Sequence, residues 1–137
     1  MRWREEPRIR EQEWGHFRDL ADYDRTVVNR DAYGTFYYRI PEGESGADVY
    51  DRVSDFFGTL HRDFGKPDFP ENALIVTHGM TLRLFLMRWF HWTVEDFEQL
   101  ANPGNCQLSN ASPTAGTGWP PSCAATRWPT LTSAPWP

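Results

Sequence analysis

The chain has 137 residues, the size of one ordinary domain, and its 39% hydrophobic and 24% charged content is that of a water-soluble globular protein. A net charge of −5 gives no general attraction to nucleic acid or to an anionic membrane. Cys106 and Cys123 fit no metal or redox spacing, and no apolar run is long enough to cross a bilayer. Met1 to Glu6 is too charged for a signal peptide, so the expected location is the cytoplasm.

The first twenty residues, MRWREEPRIREQEWGHFRDL, are charged, and Pro7 and Gly15 interrupt any long helix. They predict a loop containing one helical turn. Residues 21 to 40 turn from polar to aromatic and are bracketed by Gly34, Pro41 and Gly43, the pattern of a packed loop rather than a strand.

A helix is predicted from Ser45. Serine is a favoured N-cap, and Asp48 stands where a capping-box acid belongs. Val49, Val53, Phe56, Phe57 and Leu60 recur at helical spacing and form one apolar stripe, expected to pack on a sheet. Gly65, Pro67 and Pro70 end the unit.

Ala73 to Thr77 is short, apolar and partly β-branched, which predicts a strand buried on both faces. From Met80 to Phe90 the apolar spacing becomes helical. Thr93, with Asp96 three residues on, predicts the cap of a further short helix. Asn102-Pro103-Gly104-Asn105 is a turn, and Cys106 to Leu108 has the makings of another strand. Residues 109–137 contain no Asp, Glu or Lys and are rich in Pro, Ser, Thr, Ala and Trp. That composition predicts a disordered tail and resembles one read out of frame.

Strand, Thr77-His78-Gly79, helix is half of a βαβ unit, and such sheets bind ligands beyond the carboxyl ends of their strands. His78 falls at that point. Gly79 permits a sharp turn, and the helix that follows offers free N–H groups and partial positive charge to an anion. Position alone leaves open a histidine satisfied by a neighbouring carbonyl.

IVTHGMTLRLFL resembles the second histidine motif of the histidine phosphatase superfamily, the phosphoglycerate-mutase-like proteins. RIREQEWGHF resembles its acid loop, Leu-x-Glu-x-x-x-Gly. YGTFYYRIPEGESGADVYDRV and FLMRWFHWTVEDFEQLANPGNC resemble segments of a phosphoglycerate-mutase-like subgroup. The four motifs occur in order over residues 1–108. The resemblance implies an α/β fold, a three-layer sheet with flanking helices. It also implies phosphomonoester hydrolysis or phosphoryl transfer through a phosphohistidine, needing no metal or cofactor and acting on a small phosphorylated substrate.

In that family a histidine in an Arg-His-Gly motif attacks phosphorus, an acid protonates the leaving oxygen, and a second histidine and two arginines stabilise the phosphoryl oxygens. Carried over, His78 is the second histidine and Glu11 the acid, with Glu13 as the fallback. Thr77, Gly79 and Arg83 are expected at the substrate. Glu44 and Ser45 belong to a Gly-Glu-Ser motif taken as a helix cap, and Asp51 and Arg52 as surface or supporting residues. Tyr33, Phe36, Tyr37 and Tyr38 are either an aromatic wall of the substrate site or loop core.

The 137 residues contain no Arg-His-Gly; the one His-Gly is His78-Gly79, preceded by threonine. The expectation is therefore an incomplete fold lacking its first central strand. It comprises a partial phosphatase domain over 1–108, truncated and inactive as it stands, and a tail over 109–137. The alternative is a non-catalytic phosphate-binding or protein-interaction module.

Overall fold

Ser45 opens the longest helix. In the computed structural model, which describes residues 3–70 and 72–104, its hydroxyl accepts from the Asp48 amide while the Asp48 carboxylate accepts from the Ser45 amide, the reciprocal capping box. The elements in order are a 3-10 turn at Pro7–Ile9, α1 (Leu20–Tyr33), α2 (Gly46–Phe64), α3 (Gly79–Phe90) and α4 (Val94–Glu98). Thr93 and Asp96 cap α4 by the same reciprocal pair.

The predicted stripe of α2 is buried in full: Val49, Val53, Phe56, Phe57 and Leu60 all lie in the core. They pack against Met80, Leu84, Phe85, Leu86 and Met87 of α3, with Phe36 and Phe97 closing the cluster. Phe57 meets Phe85 at 4.6 Å between ring centroids, and Trp89 stacks on Phe85 at 6.0 Å. The partner of the stripe is thus a helix and not the expected sheet.

The α/β expectation is corrected here. Among the described residues there are four α-helices and no β-strand or sheet. Residues 73–77 run without helix or ladder, and they alternate as an extended chain does. Ile75 packs against the core, while Leu74 is 67% and Val76 82% exposed. The expected burial on both faces fails because a strand requires a neighbour to exchange backbone N–H and C=O groups, and no described segment does so. The three-layer sheet is therefore not present among these residues.

The first twenty residues hold the single helical turn expected of them. The loop expected over 21–40 is corrected over much of its length, since α1 runs through it to Tyr33. Asp19 caps α1 by accepting from the Asp22 amide. The stretch from Gly34 to Glu44 is irregular and is pinned by backbone bonds such as Ala47 N–H to Phe36 C=O, 2.9 Å. Cys106 to Leu108 and the tail at 109–137 lie outside the described residues.

Candidate active site

His78 is the N-cap of α3. Its backbone is extended and its side chain makes no capping bond, so the imidazole is left free and more than half exposed. The first intrahelical bond runs from Leu82 N–H to His78 C=O, 2.8 Å. The amides of the turn before it have no intrahelical acceptor, and the partial positive end of the helix lies beside the imidazole.

Glu11 is the residue that faces it. Its Oε2 lies 3.7 Å from His78 Nδ1, and its Oε1 accepts from the Gln12 amide at 2.9 Å. Two residues 67 positions apart in sequence are thus brought together at one end of α3, both open to solvent. Glu13, the fallback acid, is committed elsewhere through its backbone. Its N–H donates to Glu44 Oε2 and its C=O accepts from the Glu44 amide.

The acid loop is shaped by close backbone approach. Gly15 has φ +65°, and a Cβ there would lie 2.3 Å from Pro41 O; a Cβ on Gly43 would lie 2.4 Å from Glu13 O. Only glycine fits at either point, so residues 11–15 and 41–44 run against each other. Gln12, 3% exposed, fills the space beneath and donates to Glu44 O at 2.9 Å.

Two hydroxyls tie this loop to the histidine. Thr77 Oγ1 donates to Ile9 O at 2.6 Å, and Thr81 Oγ1 donates to Arg10 O at 2.7 Å. Thr77 therefore holds the loop through its hydroxyl, and Thr81, unmarked by sequence, does the same from inside α3. Gly79 begins the helix, where an added Cβ would find ordinary contact with Asn102 at 3.6 Å.

Arg83 is 6% exposed. Its guanidinium donates to Phe97 O at 3.0 Å and Asn102 Oδ1 at 3.1 Å, and it sits 4.4 Å above the Phe97 ring. Burial lowers its pKa to about 10 against the opposing pull of the Glu98 charge, and the Arg30 charge lowers it further. Its contacts join α3 to α4. The aromatic residues divide in the same way. Phe36 is core, while Tyr33 and Tyr37 are exposed. A shallow hollow lined by Asn29, Ala32, Tyr33 and Tyr38 includes none of the five predicted site residues.

Glu44 and Arg52 form a pair that motif reading left as a cap and a supporting residue. Ser45 and Asp48 do the capping. Glu44 instead binds Arg52 through both carboxylate oxygens, at 3.0 and 2.9 Å, and takes Arg10 Nη2 at 3.0 Å. Burial raises the Glu44 pKa, but the bonds from Arg52 and the Glu13 amide, with the charges of Arg52 and Arg10, outweigh it and leave the carboxyl below its ordinary value. The only sequence signal for this pair is their spacing of eight residues, which places Glu44 just before α2 and Arg52 two turns into it.

Among the described residues, no group of three or more His, Cys, Asp or Glu is arranged to hold a metal ion, and no helix is long and apolar enough to cross a membrane.

The profile of the histidine phosphatase superfamily (branch 1) matches residues 1–121. The phosphoglycerate mutase-like protein AT74 of Arabidopsis thaliana is 50% identical over 111 residues, covering 77% of this chain and 35% of that protein. The phosphoglycerate mutase-like protein AT74H of the same plant is 48% identical over 111 residues, covering 77% and 40%. The broad-range acid phosphatase DET1 of Saccharomyces cerevisiae is 46% identical over 107 residues, covering 76% and 32%. The chain therefore spans between a third and two-fifths of the length of these relatives. No solved structure matches it.

Proposed function

We propose that this chain, which belongs to the histidine phosphatase superfamily, supplies the acid and the second histidine of a site that cleaves small phosphomonoesters in the cytoplasm. The observation that supports it most is the approach of Glu11 Oε2 to His78 Nδ1, 3.7 Å, at the open N-terminus of α3. One relative is named a broad-range acid phosphatase and two are named mutase-like, which supports phosphoryl chemistry for this chain as well.

The roles follow from the chemistry. A histidine of an Arg-His-Gly segment forms the N–P bond as the P–O ester bond breaks. The proton of the Glu11 carboxyl goes to the departing oxygen. His78 and the first-turn amides of α3 offset the charge on the equatorial oxygens. Water then attacks phosphorus as the N–P bond breaks, one water proton returns to Glu11, and phosphate and the free imidazole are released. The nucleophile is absent from the 137 residues, so the chain by itself is inactive in this proposal.

The test compares the chain alone with the same chain joined to a family segment bearing Arg-His-Gly, using an aryl phosphate. The joined protein is expected to turn over and the chain alone is not. Glu11→Gln is expected to cost roughly 10²–10⁴-fold with poor leaving groups, the usual contribution of a general acid. His78→Ala is expected to cost at least as much with every leaving group, because it acts on the phosphoryl oxygens. Turnover by the chain alone, abolished by His78→Ala, overturns the proposed inactivity. An active joined protein indifferent to both substitutions overturns the roles of Glu11 and His78.

A further inference from the structure

A guanidinium has five N–H donors, and Arg52 uses all five on one carboxylate and three backbone carbonyls. Nε and one Nη2 hydrogen go to the Glu44 carboxylate, at 3.0 and 2.9 Å. The other Nη2 hydrogen goes to Glu11 O at 3.0 Å, and the two on Nη1 go to Arg8 O at 2.7 Å and Arg10 O at 3.0 Å. The side chain is only 12% exposed. One α2 residue thus grips three carbonyls of the segment that carries Glu11, including Glu11's own, while making no bond to the Glu11 carboxylate.

Glu44 completes the grip from the far side. It orients the guanidinium through both oxygens and accepts from the Glu13 amide at 3.0 Å. Thr77 and Thr81 take Ile9 O and Arg10 O from the side of His78. Four consecutive carbonyls, 8 to 11, are therefore fixed to α2, to α3 and to Thr77 just before it. A carboxyl on a loop, half open to water, holds a fixed place relative to an imidazole only if its backbone is fixed, because small misplacements are costly in catalysis.

We propose that Arg52, oriented by Glu44, is a positioning residue that sets the Glu11 carboxyl against His78 and against the leaving oxygen. This rests on the proposed role of Glu11 as the acid. It assigns Glu44 of the Gly-Glu-Ser motif a part in the reaction, while Ser45 keeps the cap of α2. A buried cation spent on backbone carbonyls is a poor source of stability alone, since its desolvation offsets much of the gain. It does give a loop a single conformation.

Two measurements test it. In the 137-residue chain, Arg52→Lys keeps the charge and loses the fork. Amide exchange is expected to rise at residues 10–13 and stay unchanged in the middle of α2 and α3. Unchanged exchange at 10–13 overturns the proposal whatever Glu11 does. Should Arg52→Lys unfold the chain, Glu44→Gln, which leaves the guanidinium in place, must show the same local opening or the proposal fails. In the protein joined to an Arg-His-Gly segment, Arg52→Lys is expected to slow poor leaving groups by roughly 10- to 100-fold, within the range of a general acid's contribution, and good ones far less. Combined with Glu11→Gln, it is expected to add little. A loss equal for all leaving groups, or one that adds fully to that of Glu11→Gln, marks a structural anchor and overturns the proposal. If Glu11→Gln itself shows no dependence on leaving group, the role of Glu11 as acid falls, and the exchange result alone decides whether Arg52 positions the loop.

Discussion

At the scale of single residues, the carboxylates near the open end of α3 are set apart by what surrounds them. Glu11 is partly exposed and its carboxylate takes one amide, whereas Glu44 is bonded on both oxygens by arginines and an amide. Glu44 has a folded pKa below its ordinary value of 4.5. A carboxylate so depressed adds stability above its unfolded pKa and loses that stability as pH falls through the folded value. Glu44→Gln is therefore expected to destabilise the chain most near neutrality. The gap from wild type should narrow as pH drops below about 4.5. Urea unfolding at pH 6 and pH 3 measures it; a gap that is constant with pH would show that the Glu44 charge is not what Arg52 uses. Sequence singled out Glu11 and His78 because each sits in a recognisable motif, and the fold brings the two within 3.7 Å. It could not show what Arg52 does, because that depends on carbonyls more than forty positions away, brought close only by folding.

At the scale of elements, α2 and α4 were legible from their caps, and α2 and α3 from their apolar period. Ser45 with Asp48 and Thr93 with Asp96 form the boxes expected of them, and the apolar stripe of α2 is the buried one. Helix α1 was missed for a physical reason. Thr26 is its only buried residue, and Leu20, Tyr23, Val28 and Tyr33 are all exposed, so no apolar face marks it. The Asp19 cap was its one signal. The strand expected at 73–77 has the right residues and no partner, and propensity alone does not make a ladder. Arg83 belongs at this scale, because its bonds to Phe97 O and Asn102 hold α4 and the following turn on α3. Lysine cannot span both acceptors or stack as a plane on Phe97. Arg83→Lys is expected to cost about 1–3 kcal/mol, the penalty for leaving buried acceptors unpaired. It is expected to leave the KM of the joined protein for a phosphate ester unchanged. Thermal melts and steady-state kinetics read the two effects, and a raised KM with unaltered stability would place Arg83 at the substrate.

At the scale of the whole molecule, the chain supplies one side of the proposed site. Its family membership extends over residues 1–121, yet it covers only about a third to two-fifths of the relatives' lengths. Glu11 and His78 are assembled by the described residues alone, through Arg52, Thr77 and Thr81. Among the described residues, Glu11 approaches His78 with no sheet present. The 137 residues contain no Arg-His-Gly, and the division of labour proposed for the site says what else it does without. Phosphoryl transfer develops charge on the equatorial oxygens, which enzymes offset either with a divalent cation or with fixed cations and amide dipoles. Here the proposed agents are His78, the first-turn amides of α3 and the arginine that accompanies the nucleophile. On that basis turnover by the joined protein is expected to survive EDTA and to be unchanged by added Mg²⁺ or Zn²⁺. His78→Ala is expected to remain slow when Mg²⁺ is supplied, because among the described residues no group of three or more His, Cys, Asp or Glu is arranged to hold a cation. Loss of turnover in EDTA, restored by one metal, would mean that the charge is offset by an ion and that His78 has some other task.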